Sequence, residues 1–298
     1  MSETYSTKAP GLFGSMGKAD DNKVFYKDAR LTFCNNNKIS DYTVADGTEV
    51  ICDKAFANKA GLETVTLPVS LKAVGAGAFG FCKNLKTIDM PDGLSEIKEG
   101  AFHSCESLSS VNLPASLQAV SKKCFDGCKS LTSVAIADGV KAIEEGAFRG
   151  CSSLVTINIP DSVSVIGYGA LKDCASLVRI SIPSSVREVG ELAFEGCISL
   201  ESVSIAKGVT TLKERAFNDC KAITSLELPV SLNRIEKYAL PQNLKELIIN
   251  SPEMNFDKFA FNLNLKQPTI IVPAGRSEYY RSILPTALTG ATVKERAD

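Results

Sequence analysis

Between residues 154 and 174 the apolar positions fall at Leu154, Ile157, Ile159, Val163, Ile166, Ala170, Leu171 and Cys174. From 177 the same series begins again: Leu177, Ile180, Ile182, Val186, Val189, Ala193, Phe194 and Cys197, displaced by 23 residues. The L-x-x-I-x-I part ends in strict alternation of β-branched residues, which predicts a short strand with one buried face. Proline cannot donate to a ladder, so Pro160 and Pro183, with Pro68, Pro91, Pro114 and Pro229 in sibling units, close that strand. Ala137 and Ala206 stand in the proline column of two units. The following V-x-x-I-x-x-x-A-F has three- and four-residue apolar spacing, which predicts a turn of helix or an irregular return path.

A unit of 23 residues cannot bury its own apolar face, whereas stacked neighbours share one continuous core. The pattern therefore predicts a mostly β solenoid with a parallel ladder, one short strand per coil, irregular or short helical returns, and capped ends. With about nine to ten coils at roughly 4.8 Å each, it would be about 45 Å long. The core columns are explicit. Phe56, Phe79, Phe102, Phe125, Phe148, Leu171, Phe194, Phe217 and Leu240 form one, preceded by Ala in every coil but that of Cys124. Cys82, Cys105, Cys128, Cys151, Cys174, Cys197 and Cys220 form another. The ends leave this frame. Residues 24 to 33 (VFYKDARLTF) read as a covering hairpin strand or two, and Lys59 replaces Cys in the first coil. After Leu240 the frame slips by about two residues. A last strand, TIIVP, precedes SEYYRSILP, read as a short amphipathic helix stopped by Pro285. The expected division is an N-terminal extension and cap over 1–38, a solenoid over 39–273, and a cap helix and tail over 274–298.

Composition removes several functions. A formal charge of −1 over 298 residues gives no electrostatic argument for nucleic acid or acidic membranes. No apolar run approaches a spanning helix, so no membrane insertion is expected. One His and no Trp make His-based catalysis or a His-rich metal site hard to build. Seven of the ten cysteines are a ruler for the repeat. Stacked coils would put their Cα atoms about 5 Å apart, within reach of a chain of disulfides. Seven in one column cannot all pair, and they pack between Phe and Leu columns, so they read as buried thiols acting as small hydrophobes. Cys124 and Cys128 lack a second ligand pair in the frame, and neither metal nor cofactor is expected.

Gly75, Gly77 and Gly80 spell G-x-G-x-x-G, the fingerprint of a dinucleotide loop. Their columns hold Lys, Ser, Glu, Leu and Arg in other coils, so the three glycines read as a coincidence of columns rather than a phosphate cradle. His103 shares a column with Gly80, Asp126, Arg149, Lys172, Glu195 and Asn218, which reads as solvent-facing.

Segments such as LVTINIPDSVSVIGYGALKDC and LVRISIPSSVREVGELAFEGC resemble a leucine-rich repeat protein of the BspA-like (Treponema pallidum-type) class. The resemblance spans roughly residues 40 to 273, and Gly93 and its equivalents occupy the Asn/Cys slot of the common leucine-rich pattern. It implies a leucine-rich repeat solenoid with binding, adhesion or host-interaction roles at a microbial cell surface, and no catalytic residues. The N-terminus has no basic-then-apolar signal order, which sets a cytoplasmic alternative beside the surface location that the resemblance implies.

The strand's outward columns are the candidate partner-binding residues: Thr64, Thr87, Ser110, Thr156, Arg179, Ser202 and Ser225 in one, Asp89, Asn112, Asn158 and Glu227 in the next. They suit polar, extended contact with a protein or a glycan, although no aromatic platform accompanies them and only Arg179 is a hot-spot residue type. The expected function is a non-enzymatic macromolecular interaction module, with a ligand-free structural scaffold or spacer as the alternative. An enzyme would need a convergent polar site, and repeat columns spread polar groups evenly.

Overall fold

The computed structural model describes residues 8, 17–261, 268–284, 288 and 291–296; Pro285 and nearly all of the first sixteen residues lie outside them. The predicted strands form a front ladder of a parallel solenoid of about eleven turns. Its rungs include Thr64–Thr66, Ser110–Leu113, Ser133–Ile136, Arg179–Ile182, Ser202–Ile205 and Ser225–Leu228. Pairing is in register with the repeat, as in Ser110↔Ser133↔Thr156 and Arg179↔Ser202. At the frame slip Ser225 pairs with Glu246, and the 23-residue step then resumes with Glu246↔Thr269. Each closing proline also accepts a turn bond, for example Val163 N–H to Pro160 O at 3.0 Å.

The return path carries a second parallel ladder. Two-residue strands such as Glu96–Ile97, Ala119–Val120, Ala142–Ile143 and Val165–Ile166 stack there, and the described coils hold no helical turn. The three- and four-residue spacing arises because each short strand is flanked by corners, so its apolar residues recur without a helix. At the A-F corner main-chain bonds again step from coil to coil: Phe79 N–H donates to Ala101 O at 2.8 Å and Phe102 N–H to Cys124 O at 2.9 Å.

Two positions of this corner are left-handed in coil after coil. The first column holds Lys54, Gly77, Gly100, Lys123, Gly146, Gly169, Leu192, Arg215 and Tyr238, with φ between 52° and 61°. The second holds Asn58, Phe81, Ser104, Gly127, Gly150, Asp173, Gly196 and Asp219, with φ between 57° and 76°. Gly77 is therefore favoured by its backbone and is no coincidence. The phosphate reading still fails, because residues 75 to 82 are turns that open no helix.

The core is a set of stacked columns. Phe56, Phe79, Phe102, Phe125 and Phe148 are fully buried, their rings 5.2–5.5 Å apart and within 4° of parallel. Leu171 interrupts the stack, which resumes with Phe194 and Phe217 at 5.2 Å. All ten cysteines are free and buried. In the repeat column each thiol donates to the main chain of the preceding coil, as from Cys105 Sγ to Phe79 O and Cys128 Sγ to Phe102 O, both 3.2 Å.

At the N-terminal end Val24–Lys27 and Arg30–Cys34 form the expected hairpin, and Arg30–Cys34 then joins the second ladder beside Val50–Ile51. Tyr42 tilts over Phe56 at 5.5 Å and closes the stack, its hydroxyl donating to Asp20 at 2.6 Å. Lys59, in the Cys position, is buried with its ammonium 2.7 Å from Asn37 Oδ1. At the other end the helix Ser277–Ile283 buries Tyr280, whose hydroxyl donates to Ser251 O at 2.6 Å. Beyond it Thr292–Glu295 adds a further rung beside Thr269–Val272. Among the described residues no helix is long and apolar enough to cross a membrane.

Candidate functional site

The front ladder brings the predicted contact residues together. Thr64, Thr87, Asp89, Ser110, Asn112, Thr156, Asn158, Arg179, Ser202, Ser225 and Glu227 are all exposed, one strand spacing from coil to coil. Their hydrogen bonding separates them. Asn158 holds both the N–H and the C=O of Ile136, at 3.0 and 2.8 Å, and so extends the ladder where its own strand stops at Ile157. Thr64 donates to Asp41, Ser225 meets Glu246, and Glu227 accepts from Asn250 at 2.8 Å. Thr87, Asp89, Ser110, Asn112, Thr156, Arg179 and Ser202 make no side-chain hydrogen bond among the described residues. Beside Glu227 lies an open hollow of about 710 Å³, with Val203, Pro229 and Val230 below and Lys207 and Arg296 at its rim.

A second constellation sits at the A-F corner, where sequence reasoning expected only a solvated column. That column is a partly buried polar ladder. Asp126 is 5% exposed and accepts two bonds from Arg149, at 3.2 and 2.5 Å. Glu195 is 8% exposed, paired with Lys172 and taking a bond from Asn218 at 3.1 Å. His103 is half-buried rather than a free surface residue. Its Nε2 lies 3.3 Å from Ser104 Oγ and its Nδ1 3.7 Å from Asp126, and the Phe81 ring meets it edge-on at 4.9 Å. Fixed coil spacing explains the correction: carboxylates and cations one coil apart pair with each other and cover the column.

Hydroxyl, imidazole and carboxylate here follow the order of a nucleophilic triad. Arg149 already satisfies the carboxylate, and the Asp126–His103 separation exceeds a hydrogen bond, so the imidazole gains little help as a base. Among the described residues no group of three His, Cys, Asp or Glu side chains could hold a metal. The buried thiols offer no nucleophile either. Burial pushes Cys82 up to about 12 and holds Cys105, Cys124, Cys151, Cys174 and Cys220 well above the ordinary thiol value.

Around Phe81 the corner opens into a hollow of about 710 Å³. Sequence reasoning missed it, yet the signal was present. Every other member of its column is Asn, Ser, Gly or Asp, and Phe81 alone is bulky.

A family model described as the BspA type leucine rich repeat region matches residues 29–155, 118–244 and 164–281, in six copies. Among solved structures, the chain is similar to a leucine-rich repeat protein from Bacteroides ovatus, at 22% identity over 90% of this chain and 87% of that one, TM-score 0.48. It is similar to a T. pallidum leucine rich repeat protein at 27% identity, over 72% and 90% of the two chains, TM-score 0.48. A leucine rich cell surface protein from Faecalibacterium prausnitzii matches at 20% identity over 97% of each chain, TM-score 0.44. No curated protein matches the chain.

Proposed function

Because this chain belongs to the BspA-type leucine-rich repeat family, we propose that it is a non-enzymatic interaction module whose front face binds a protein partner in adhesion or host contact at a microbial cell surface. One observation carries the reading: Thr87, Asp89, Ser110, Asn112, Thr156, Arg179 and Ser202 expose hydroxyl, amide and charged groups that make no side-chain hydrogen bond among the described residues. Rigid columns present them at fixed spacing, so a partner's polar groups meet donors and acceptors without ordering a loop. Arg179 is the anchor, an exposed guanidinium with no hydrogen bond or ion pair among the described residues, one coil before the Ser202 end of the strip.

The spacer alternative draws on the lack of aromatic residues in these columns. Binding of a panel of purified host-surface and matrix proteins, measured by interferometry, separates the two. The interaction reading expects at least one saturable binder that Arg179→Ala weakens about tenfold, equal to about 1.4 kcal/mol. No binder across the panel, or a binder indifferent to both Arg179→Ala and Asp89→Ala, favours the spacer.

A further inference from the structure

Phe81 carries two disadvantages that its siblings avoid. It is a bulky residue at φ 62°, and it is 44% exposed. Asn58, Ser104, Gly127 and Asp173 hold the same backbone position with residues that tolerate it. The coil therefore does not need an aromatic ring here, since the column's left-handed backbone is kept in every coil and Phe81 is its one bulky member. On one side the ring meets His103 edge-on, at 88°.

The space beside the ring exists because side chains are missing. Gly77, Gly80 and Gly100 leave their backbones bare, with Ala57 and Ala76 alongside. The rim is polar and mostly cationic. Lys54 and Lys123 reach it, and neither has a carboxylate within salt-bridge distance among the described residues. Asn58 supplies an amide, Glu99 is the one rim carboxylate without an arginine, and Arg149 is held by Asp126.

We propose that this hollow is a carbohydrate subsite for a sugar that bears a carboxylate, of the uronic-acid type. The hydrocarbon face of a pyranose ring packs on the exposed Phe81 ring. Its carboxylate meets Lys54 and Lys123, and its hydroxyls meet the Asn58 amide and the Glu99 carboxylate. A plain phosphate would use the lysines and leave Phe81 without a role; an aromatic peptide side chain would use Phe81 and leave the lysines unpaired. The volume lies within the range of small-ligand pockets, about 300–1,000 Å³. The inference does not rest on the front-face reading, since the hollow lies at a different edge of the coil.

Calorimetric titration of the intact protein at low salt with digalacturonate, maltose and inorganic phosphate tests it. Digalacturonate is expected to bind, Phe81→Asn to weaken it at least about tenfold, and Lys54→Gln and Lys123→Gln about three- to tenfold each. Phe81→Asn copies Asn58 at the equivalent position and is expected to keep the wild-type unfolding midpoint within about 5 °C, with Phe81→Gly as a second copy of a sibling. Arg179→Ala, on the front face, leaves digalacturonate binding unchanged, so this result and the protein-partner test fail or succeed separately. The proposal is overturned by no digalacturonate binding up to about 10 mM, by equal binding to Phe81→Asn, or by maltose or phosphate binding as tightly as digalacturonate. Preference for a peptide bearing an exposed Phe over digalacturonate would also overturn it.

Discussion

The corner at Phe81 and the corner four coils on at Asp173 are built from the same columns. Gly77 and Gly169 precede them at φ 58° and 55°, and Phe81 and Asp173 follow at 62° and 61°. Asp173 is the kind of residue that occupies such a backbone at little cost, while Phe81 is not. The backbone at this corner is thus set by stacking on neighbouring coils, and the side chain is chosen independently. At Phe81 the choice runs against local preference and the structure holds a hollow; at Asp173 the same backbone carries a residue that suits it.

The largest expected effect tests the core that both corners share. Burial raises the pKa of Cys82, Cys105, Cys124, Cys151, Cys174 and Cys220, so the folded state holds protons there that the unfolded chain releases near pH 9. Their contribution is complete below that pH and is lost as pH rises toward about 12, the value reached by Cys82. Urea unfolding at a series of pH values should show the midpoint falling steeply above pH about 9, and a flat profile there would contradict the thiol column. In native protein at neutral pH the thiols should resist a soluble thiol reagent, and all ten should react after unfolding.

Next in size is Phe125→Ala, which removes a fully buried ring stacked on both sides and should destabilise by about 3–5 kcal/mol in urea titration. Arg149→Ala, at the corner, should cost about 1–2 kcal/mol, because Asp126 is buried but the guanidinium is half in water. Smallest is Phe81→Asn. Relief of left-handed strain and loss of the His103 contact are each about 1 kcal/mol and oppose one another, so stability should stay within about 1 kcal/mol of wild type. A loss as large as that of Phe125→Ala would show that Phe81 belongs to the core, erasing the contrast with Asp173.

Much of this was legible in the chain. The alternation in L-x-x-I-x-I placed the front strands and their outward residues, and the Phe and Cys intervals placed the core. The second ladder was not legible, because two residues per strand show no alternation and borrow their pairing from neighbours. Asn158 could not be told from Asn112 by column, since only the early end of the Thr156–Ile157 strand turns its amide onto Ile136. His103 was placed with solvated residues because column membership does not disclose that Asp126 and Arg149 close over it.

Sequence alone determined the coil length, the buried columns and the outward face, because a repeat that cannot bury itself must stack in one register. It also held the signature of the left-handed corner, in the Gly, Asn and Asp that recur around Phe81. Only the tertiary structure decided which polar residues pair across coils and which stay free, and that bare glycines beside Phe81 leave a hollow. Those outcomes depend on atoms one or two coils away, whose distances are set by stacking and not by order along the chain.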